Sequence, residues 1–338
     1  MSIALFTLGG TIAMAGHTAD GEPGRPAGGG PVVTRLTGAD LTASVPGLAE
    51  LGMPLDVHDV EAVPSADLTF AQVLGLVGTA SRAVAAGARG IVVTQGTDTL
   101  EETAYLIDLV WPHPEPFVLT GAMRNPTLAG PDGPANLLAA ARTAAAPGAR
   151  GLGALVVLND EIHSARRVRK THSTSTAAFA SPGTGPLGLV SEGRVRLLVT
   201  PPRHTPLPAP PSPRAAEDVR VALHTVTLDD DAAHLAAFAE TRQGLVVAGF
   251  GVGHVPSALA PVLGELAGRI PVVLTSRTGS GSVLRHTYGA TGSETDLRRR
   301  GLINGGLLDP YKARVLLRLL LAGGADRAAV VAAFDERG

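Results

Sequence analysis

VVTQGTDTLEETAYLIDL, residues 92–109, changes character in its middle. Val92 and Val93 belong to a short apolar run that ends at Thr94, small and polar residues follow, and Leu100, Ala104, Ile107 and Leu109 then recur at helical spacing. The pattern predicts a strand running into a helix. A tight turn between them needs only a glycine and one capping residue, yet this one carries Gly96, Thr97, Asp98 and Thr99. Asp98 with Glu101 and Thr99 with Glu102 both fit a helix capping box, which accounts for part of the turn. Thr97 is left over, beside a glycine that lets a ligand approach the backbone.

The same alternation extends in both directions. Strands are predicted at residues 3–8, 55–63, 90–94, 117–120 and 155–158, with helices at 70–86, 100–110 and 134–145. Strand, helix, strand in this order predicts an α/β domain whose mainly parallel sheet has helices on both faces. TPPRHTPLPAPPSPR, residues 200–214, breaks the pattern, because proline neither donates ladder hydrogen bonds nor continues a helix. Beyond it come strands near 219–225, 245–248 and 271–275 and closing helices at 311–321 and 327–334. The expected organisation is a larger N-terminal α/β domain at 1–199, a Pro-rich linker at 200–216 and a smaller C-terminal α/β domain at 217–338.

Composition narrows the chemistry. The chain has 338 residues, Lys+Arg 28 against Asp+Glu 30 and a net charge of -2, so it carries no electrostatic footprint for nucleic acid or anionic lipid. A small, roughly neutral partner fits better. Cysteine is absent, which excludes disulfides, thiolate catalysis and cysteine-ligated zinc. The ten histidines lack H-x-x-x-H spacing, so no metal site is expected, and His163, His172 and His286 read as polar surface residues. Arg318 interrupts the longest apolar stretch, near 315–321, well short of a membrane span. MSIALFTLGG enters an apolar strand at once, without the basic start of a secretory leader, so the expected location is cytoplasmic.

In open parallel sheets, ligands bind at the carboxyl ends of strands. Those ends carry Gly9, Gly10 and Thr11, then Pro64, Ser65 and Asp67, then Gly96, Thr97 and Asp98, then Gly121 and Ala122. Ser65 and Asp67 also fit a cap for the helix beginning near Phe70. A further segment, ARRVRKTHSTST at 165–176, holds a basic run in which strand alternation puts Val168 and Lys170 on one face, opposite Arg167 and Arg169. A lysine turned inward needs a carboxylate partner or gives up its proton, and Asp98 is available. A threonine, a lysine and an aspartate together form a relay that can activate a hydroxyl.

With these residues in view, TLGGTIAM from Thr7, VTQGTDTLEETAYLIDL from Val93, GAMRNPTLAGPDGPANL from Gly121 and GLLDPYKARVLLRLLL from Gly306 resemble the bacterial L-asparaginases of the two-domain amidohydrolase family, over nearly the whole chain and in order. The resemblance implies hydrolysis of asparagine to aspartate and ammonia, without metal or cofactor, in a homodimer or a homotetramer made of two intimate dimers. It gives Thr11 the part of the nucleophile, and Thr97, Asp98 and Lys170 the parts of the second threonine, the aspartate and the lysine of the triad. It assigns Ser65 to the substrate's α-carboxylate, with Gly96 and Ala122 lining the pocket. Whether Thr97 activates water directly stays open at this point.

The chain also departs from that family. Its lid stretch at 15–31, AGHTADGEPGRPAGGGP, has no tyrosine, and the first tyrosine is Tyr105. Tyr288 is a candidate substitute, with an interface or core position as the other reading. The turn AGFGVGH holds Val252 where many members have asparagine, and no acid lies between Arg277 and Tyr288. These differences leave open a low-activity asparaginase, one tuned to another β-amide, or a hydrolase of another amide such as L-glutamine or D-asparagine. The rival classes fit less well. No GxGxxG precedes an acidic residue at dinucleotide-binding distance, and no G-x-S-x-G of a serine hydrolase occurs. A noncatalytic amino-acid-binding module or an amidotransferase subunit acting on charged tRNA shares much of this fold, but the near-neutral charge argues against tRNA.

Overall fold

The computed structural model describes residues 1–16, 32–34, 37–43, 45–60, 63–231, 233, 235 and 241–338. Most of the expected lid, residues 17–31, lies outside them. The chain divides into two compact units, Met1–Pro206 and Leu207–Gly338, and the division falls inside the Pro-rich stretch. The end of that stretch opens a short helix, Pro213–Glu217, where proline takes the first helical position and Ser212 accepts from the Ala215 amide.

In chain order, the strands of the first unit are β1 (Ser2–Thr7), β2 (Met14–Gly16), β3 (Val32–Thr34), β4 (Leu55–Asp59), β5 (Ala88–Thr94) and β6 (Phe117–Thr120). They continue with β7 (Ala154–Leu158), β8 (Glu161–Ser164), β9 (Arg169–Lys170), β10 (Phe179–Ala180), β11 (Gly188–Ser191) and β12 (Arg194–Leu197). Its helices are α1 (Gly38–Ala43), α2 (Phe70–Ala85), α3 (Leu100–Val110) and α4 (Gly133–Ala145). Eight strands form one sheet in the order β12-β11-β8-β7-β6-β5-β1-β4. From β4 to β7 all pairings are parallel, and β8, β11 and β12 extend the sheet antiparallel. The mainly parallel α/β class read from the sequence is the one observed. The antiparallel extension rests on two-residue hairpin turns at Asn159-Asp160 and Glu192-Gly193, all four at positive φ, as such turns require.

The parallel strands β1, β5, β6 and β7 are buried on both faces. Ile3, Leu5, Val92, Val118, Leu155 and Val157 pack against the Leu137, Ala140 and Ala144 face of α4. Their alternates Ala4, Phe6, Ile91, Val93, Leu119 and Val156 are equally inaccessible, and α2 and α3 also pack on the sheet. Between β1 and β5 the winding reverses: the chain steps from β1 to β4 on one side and continues with β5, β6 and β7 on the other. That reversal opens a crevice at the carboxyl ends of β1 and β5.

The second unit has β13 (Val221–Thr225), β14 (Gly244–Gly249), β15 (Val272–Ser276) and β16 (Ile303–Asn304), paired in that order and all parallel. Asp309 caps the helix Pro310–Ala322, accepting from the amides of Tyr311 and Lys312, and also binds the buried Lys312 ammonium at 2.9 Å. Tyr288 is half exposed on a loop whose Thr287 and Tyr288 amides both donate to the buried carboxylate of Glu294. Among the described residues, no helix is long and apolar enough to cross a membrane, and no group of three or more His, Cys, Asp or Glu could hold a metal ion.

Candidate active site

The crevice begins with glycines. Gly9 and Gly10 leave β1 at φ 78° and 88°, and a β-carbon on Gly10 would stand 2.2 Å from the Gly96 nitrogen. Only glycine permits both the left-handed backbone and this approach. The two turns that carry Thr11 and Thr97 are therefore in backbone contact. Thr11 opens a single turn of 3-10 helix, Thr11–Ala13, anchored by the buried side chain of Ile12.

Gly96 is closed in from its other side by Ser65, whose hydroxyl would lie 2.7 Å from an added β-carbon. Ser65 is buried at the start of a one-turn 3-10 helix, Ser65–Asp67, following β4. It does not cap α2: Thr69 does, in a capping box with Gln72. Instead the Ser65 hydroxyl accepts from the Asp98 amide at 3.2 Å, and the Ser65 carbonyl accepts from the Thr99 hydroxyl at 2.8 Å. The capping-box reading of the opening stretch fails for the same reason, because Thr99 occupies the N-cap of α3 without a side-chain cap bond. Gln95, fully buried, donates to the hydroxyls of Thr99 and Thr103 and fixes the threonine that holds Ser65. Sequence reasoning missed Gln95 and Thr99, which looked like strand-end and cap residues.

Lys170 completes the cluster from outside the large sheet. The predicted strand alternation across Arg167–Lys170 is realised only in part, since β9 holds Arg169 and Lys170 alone and pairs with β10. Its ammonium nevertheless donates to the Thr97 hydroxyl at 2.9 Å and to an Asp98 oxygen at 2.8 Å. The lysine side chain is 17% exposed and Asp98 72% exposed, so one end of the relay is sheltered while the carboxylate stays open to a cationic group. Thr97 is buried. Gly121 wedges against Gln95 and Thr97: an added β-carbon there would meet the Gln95 carbonyl at 2.5 Å and the Thr97 methyl at 3.2 Å. That contact brings Ala122, also buried, to the same neighbourhood.

The sites named from the sequence thus come from the ends of adjacent strands β4, β1, β5 and β6, with Lys170 added by a separate ribbon. Of the three histidines read as surface residues, His172 and His286 are exposed and His163 is not. His163 lies fully buried on β8, with Nδ1 2.9 Å from the Ser181 hydroxyl and Nε2 3.2 Å from Glu161, the latter without hydrogen-bond alignment. Burial lowers its pKa to about 4. The alternation of a short strand next to a tight hairpin was not visible in the sequence, and so its inward position was missed.

Residues 2–203 match a family model described as asparaginase, N-terminal, and residues 220–334 one described as glutaminase/asparaginase C-terminal domain. An L-asparaginase of Bacillus licheniformis is 36% identical over 95% of this chain and 95% of its own length. A probable L-asparaginase of Deinococcus radiodurans is 35% identical over 99% of this chain and 97% of its own. A crystal structure of a probable cytoplasmic L-asparaginase from Campylobacter jejuni superposes with a TM-score of 0.82 at 31% identity, covering 98% of both chains.

Proposed function

The chain belongs to the asparaginase family, and from that premise we propose that it hydrolyses L-asparagine to L-aspartate and ammonia with Thr11 as nucleophile. Thr11 attacks the side-chain amide carbon, ammonia leaves, and water releases aspartate from the acyl-threonine. Thr97, Lys170 and Asp98 form the relay that handles the proton of a hydroxyl, and backbone N–H groups of the Gly96-Thr97 turn and at Ala122 stabilise the oxyanion. Ser65 binds the substrate's α-carboxylate. The exposed Asp98 carboxylate binds its α-ammonium. No cofactor or metal enters this scheme. We read the protein as cytoplasmic and as a homodimer or homotetramer, the assembly implied by the family resemblance.

The observation that carries the reading is the Lys170 ammonium shared between Thr97 and Asp98, in a crevice whose other wall is the Gly10-Thr11 turn. Ammonia release from L-asparagine, L-glutamine and D-asparagine, measured beside Thr11→Ala and Lys170→Met, tests it. Activity on asparagine that both folded variants lack supports the relay. No release by the wild type from any of the three overturns the assignment. Val252, in the turn where the family usually has asparagine, favours a second reading in which a different amide is preferred. Under that reading glutamine or D-asparagine outpaces L-asparagine in the same assay.

A further inference from the structure

Asp132 occupies the N-cap of α4, but its side chain caps none of the backbone amides of that helix. Its carboxylate is turned to the turn that follows β6. One oxygen accepts from the amides of Met123 at 3.1 Å and Arg124 at 2.8 Å, and the other accepts from Met123 at 3.0 Å and from the Asn136 side-chain amide at 3.1 Å. Asn136, in the first turns of α4 and 2% exposed, also donates to the Gly121 carbonyl at 3.0 Å and accepts from the Asn159 amide at 2.9 Å. A capping residue at a helix start ordinarily satisfies the helix's own amides. Here that capacity is directed to a neighbouring loop.

The two residues hold Ala122 from both sides. A peptide unit is planar and trans, so its carbonyl and its N–H point in opposite directions. Asn136 binds the Gly121 carbonyl, which fixes the plane of the 121–122 peptide and turns the Ala122 N–H away from Asn136. Asp132 binds the Met123 amide, which fixes the 122–123 peptide and turns the Ala122 carbonyl away from Asp132. The start of α4 is also seated against the site, since a β-carbon on Gly133 would meet Ile12 at 2.8 Å and Ala122 at 3.4 Å. We infer that Asp132 and Asn136 are positioning residues that aim the backbone of Ala122 at the reacting amide. The inference rests on the asparaginase reading above.

An oxyanion donor acts only in the transition state, so a misaimed Ala122 lowers kcat and leaves KM nearly unchanged. The test compares Asp132→Ala, the isosteric Asp132→Asn and Asp326→Ala in the full chain, by kcat and KM for L-asparagine and by thermal midpoint. Asp326 is the matched control, an N-cap aspartate that does cap its helix, accepting from the Ala329 amide. Asp132→Ala is expected to lose about 30-fold or more in kcat with KM within about threefold. Asp132→Asn, which keeps an acceptor but loses the carboxylate, is expected to fall between it and wild type. Asp326→Ala is expected to lose thermal stability and keep kcat. Wild-type kcat in both Asp132 variants overturns the inference, as does a loss of activity that only follows the thermal midpoint. Ammonia release by the wild type no greater than by Thr11→Ala is a different failure: it removes the asparaginase reading, and the inference falls with it.

Discussion

Gly10 rests on Gly96, so closely that a β-carbon on Gly10 would stand 2.2 Å from the Gly96 nitrogen and 2.4 Å from its α-carbon. The contact joins the turn of the proposed nucleophile to the turn of the relay. Gly10→Ala adds both a backbone collision and a methyl at φ 88°. It is expected to destabilise the fold by about 3 kcal/mol or more and to depress activity beyond what the unfolded fraction explains. Urea denaturation beside ammonia release at a temperature where the variant is folded checks both halves.

Lys170→Met removes the donor shared by Thr97 and Asp98 and preserves the length of the side chain. Loss of a relay of this kind is expected to cost about 100-fold or more in kcat. Stability should hardly change, because Asp98 is 72% exposed and solvent screens the ion pair. A denaturation midpoint shifted as strongly as the activity would give the lysine a structural role instead.

Ser65→Ala separates binding from chemistry. Its hydroxyl is the group proposed to meet the α-carboxylate, and a hydrogen bond to a charged group is worth about 1.5–3 kcal/mol. A KM for L-asparagine raised by about 10-fold or more, with a smaller change in kcat, is the expected result. Initial-rate kinetics over a wide substrate range decide it; an unchanged KM removes Ser65 from the carboxylate site.

His163 makes stability depend on pH. Its folded pKa, held at about 4 by burial, lies below the ordinary histidine value of 6.5. The unfolded state therefore binds the proton first, and stability present above pH 6.5 is lost progressively as pH falls toward 4. Denaturation curves at pH 7, 6, 5 and 4 should show His163→Gln with a shallower decline than wild type. Parallel declines in the two proteins would assign the acid sensitivity elsewhere.

How far the sequence reached depended on how plainly apolar the pattern was. The strand at Phe117–Thr120 and the helix at Leu100–Val110 were read at the observed boundaries, because Phe117, Val118 and Leu119 form an unbroken apolar run and the helix repeats its apolar face over full turns. β8, β11 and β12 are four residues each and interleave apolar residues with polar or charged ones, and their hairpins are signalled only by Asn159-Asp160 and Glu192-Gly193. Glycines and hydroxyls at strand ends located the crevice, since parallel topology puts those ends together. The roles of Thr99, Asp132 and Asn136 were not legible. Each stands where a helix start would explain it, and only the fold reveals that its polar atoms face a different segment.

Lys170 reaches the relay from a ribbon of two residue pairs, Phe179↔Lys170 and Ala180↔Arg169, whereas its partners Thr97 and Asp98 stand in the turn that directly follows β5, a strand buried in the large sheet. Small ribbons open by local fluctuation at far lower free energy than a buried parallel sheet. The proposed catalytic set therefore combines a slow-opening part with a fast-opening one. Mild denaturant should inactivate the protein reversibly before its sheet unfolds, and amide exchange at Lys170 and Thr171 should outpace that of Val92 and Val93. Resistance of the fold to unfolding and persistence of catalysis are, on the proposed site, expected to be two separate quantities.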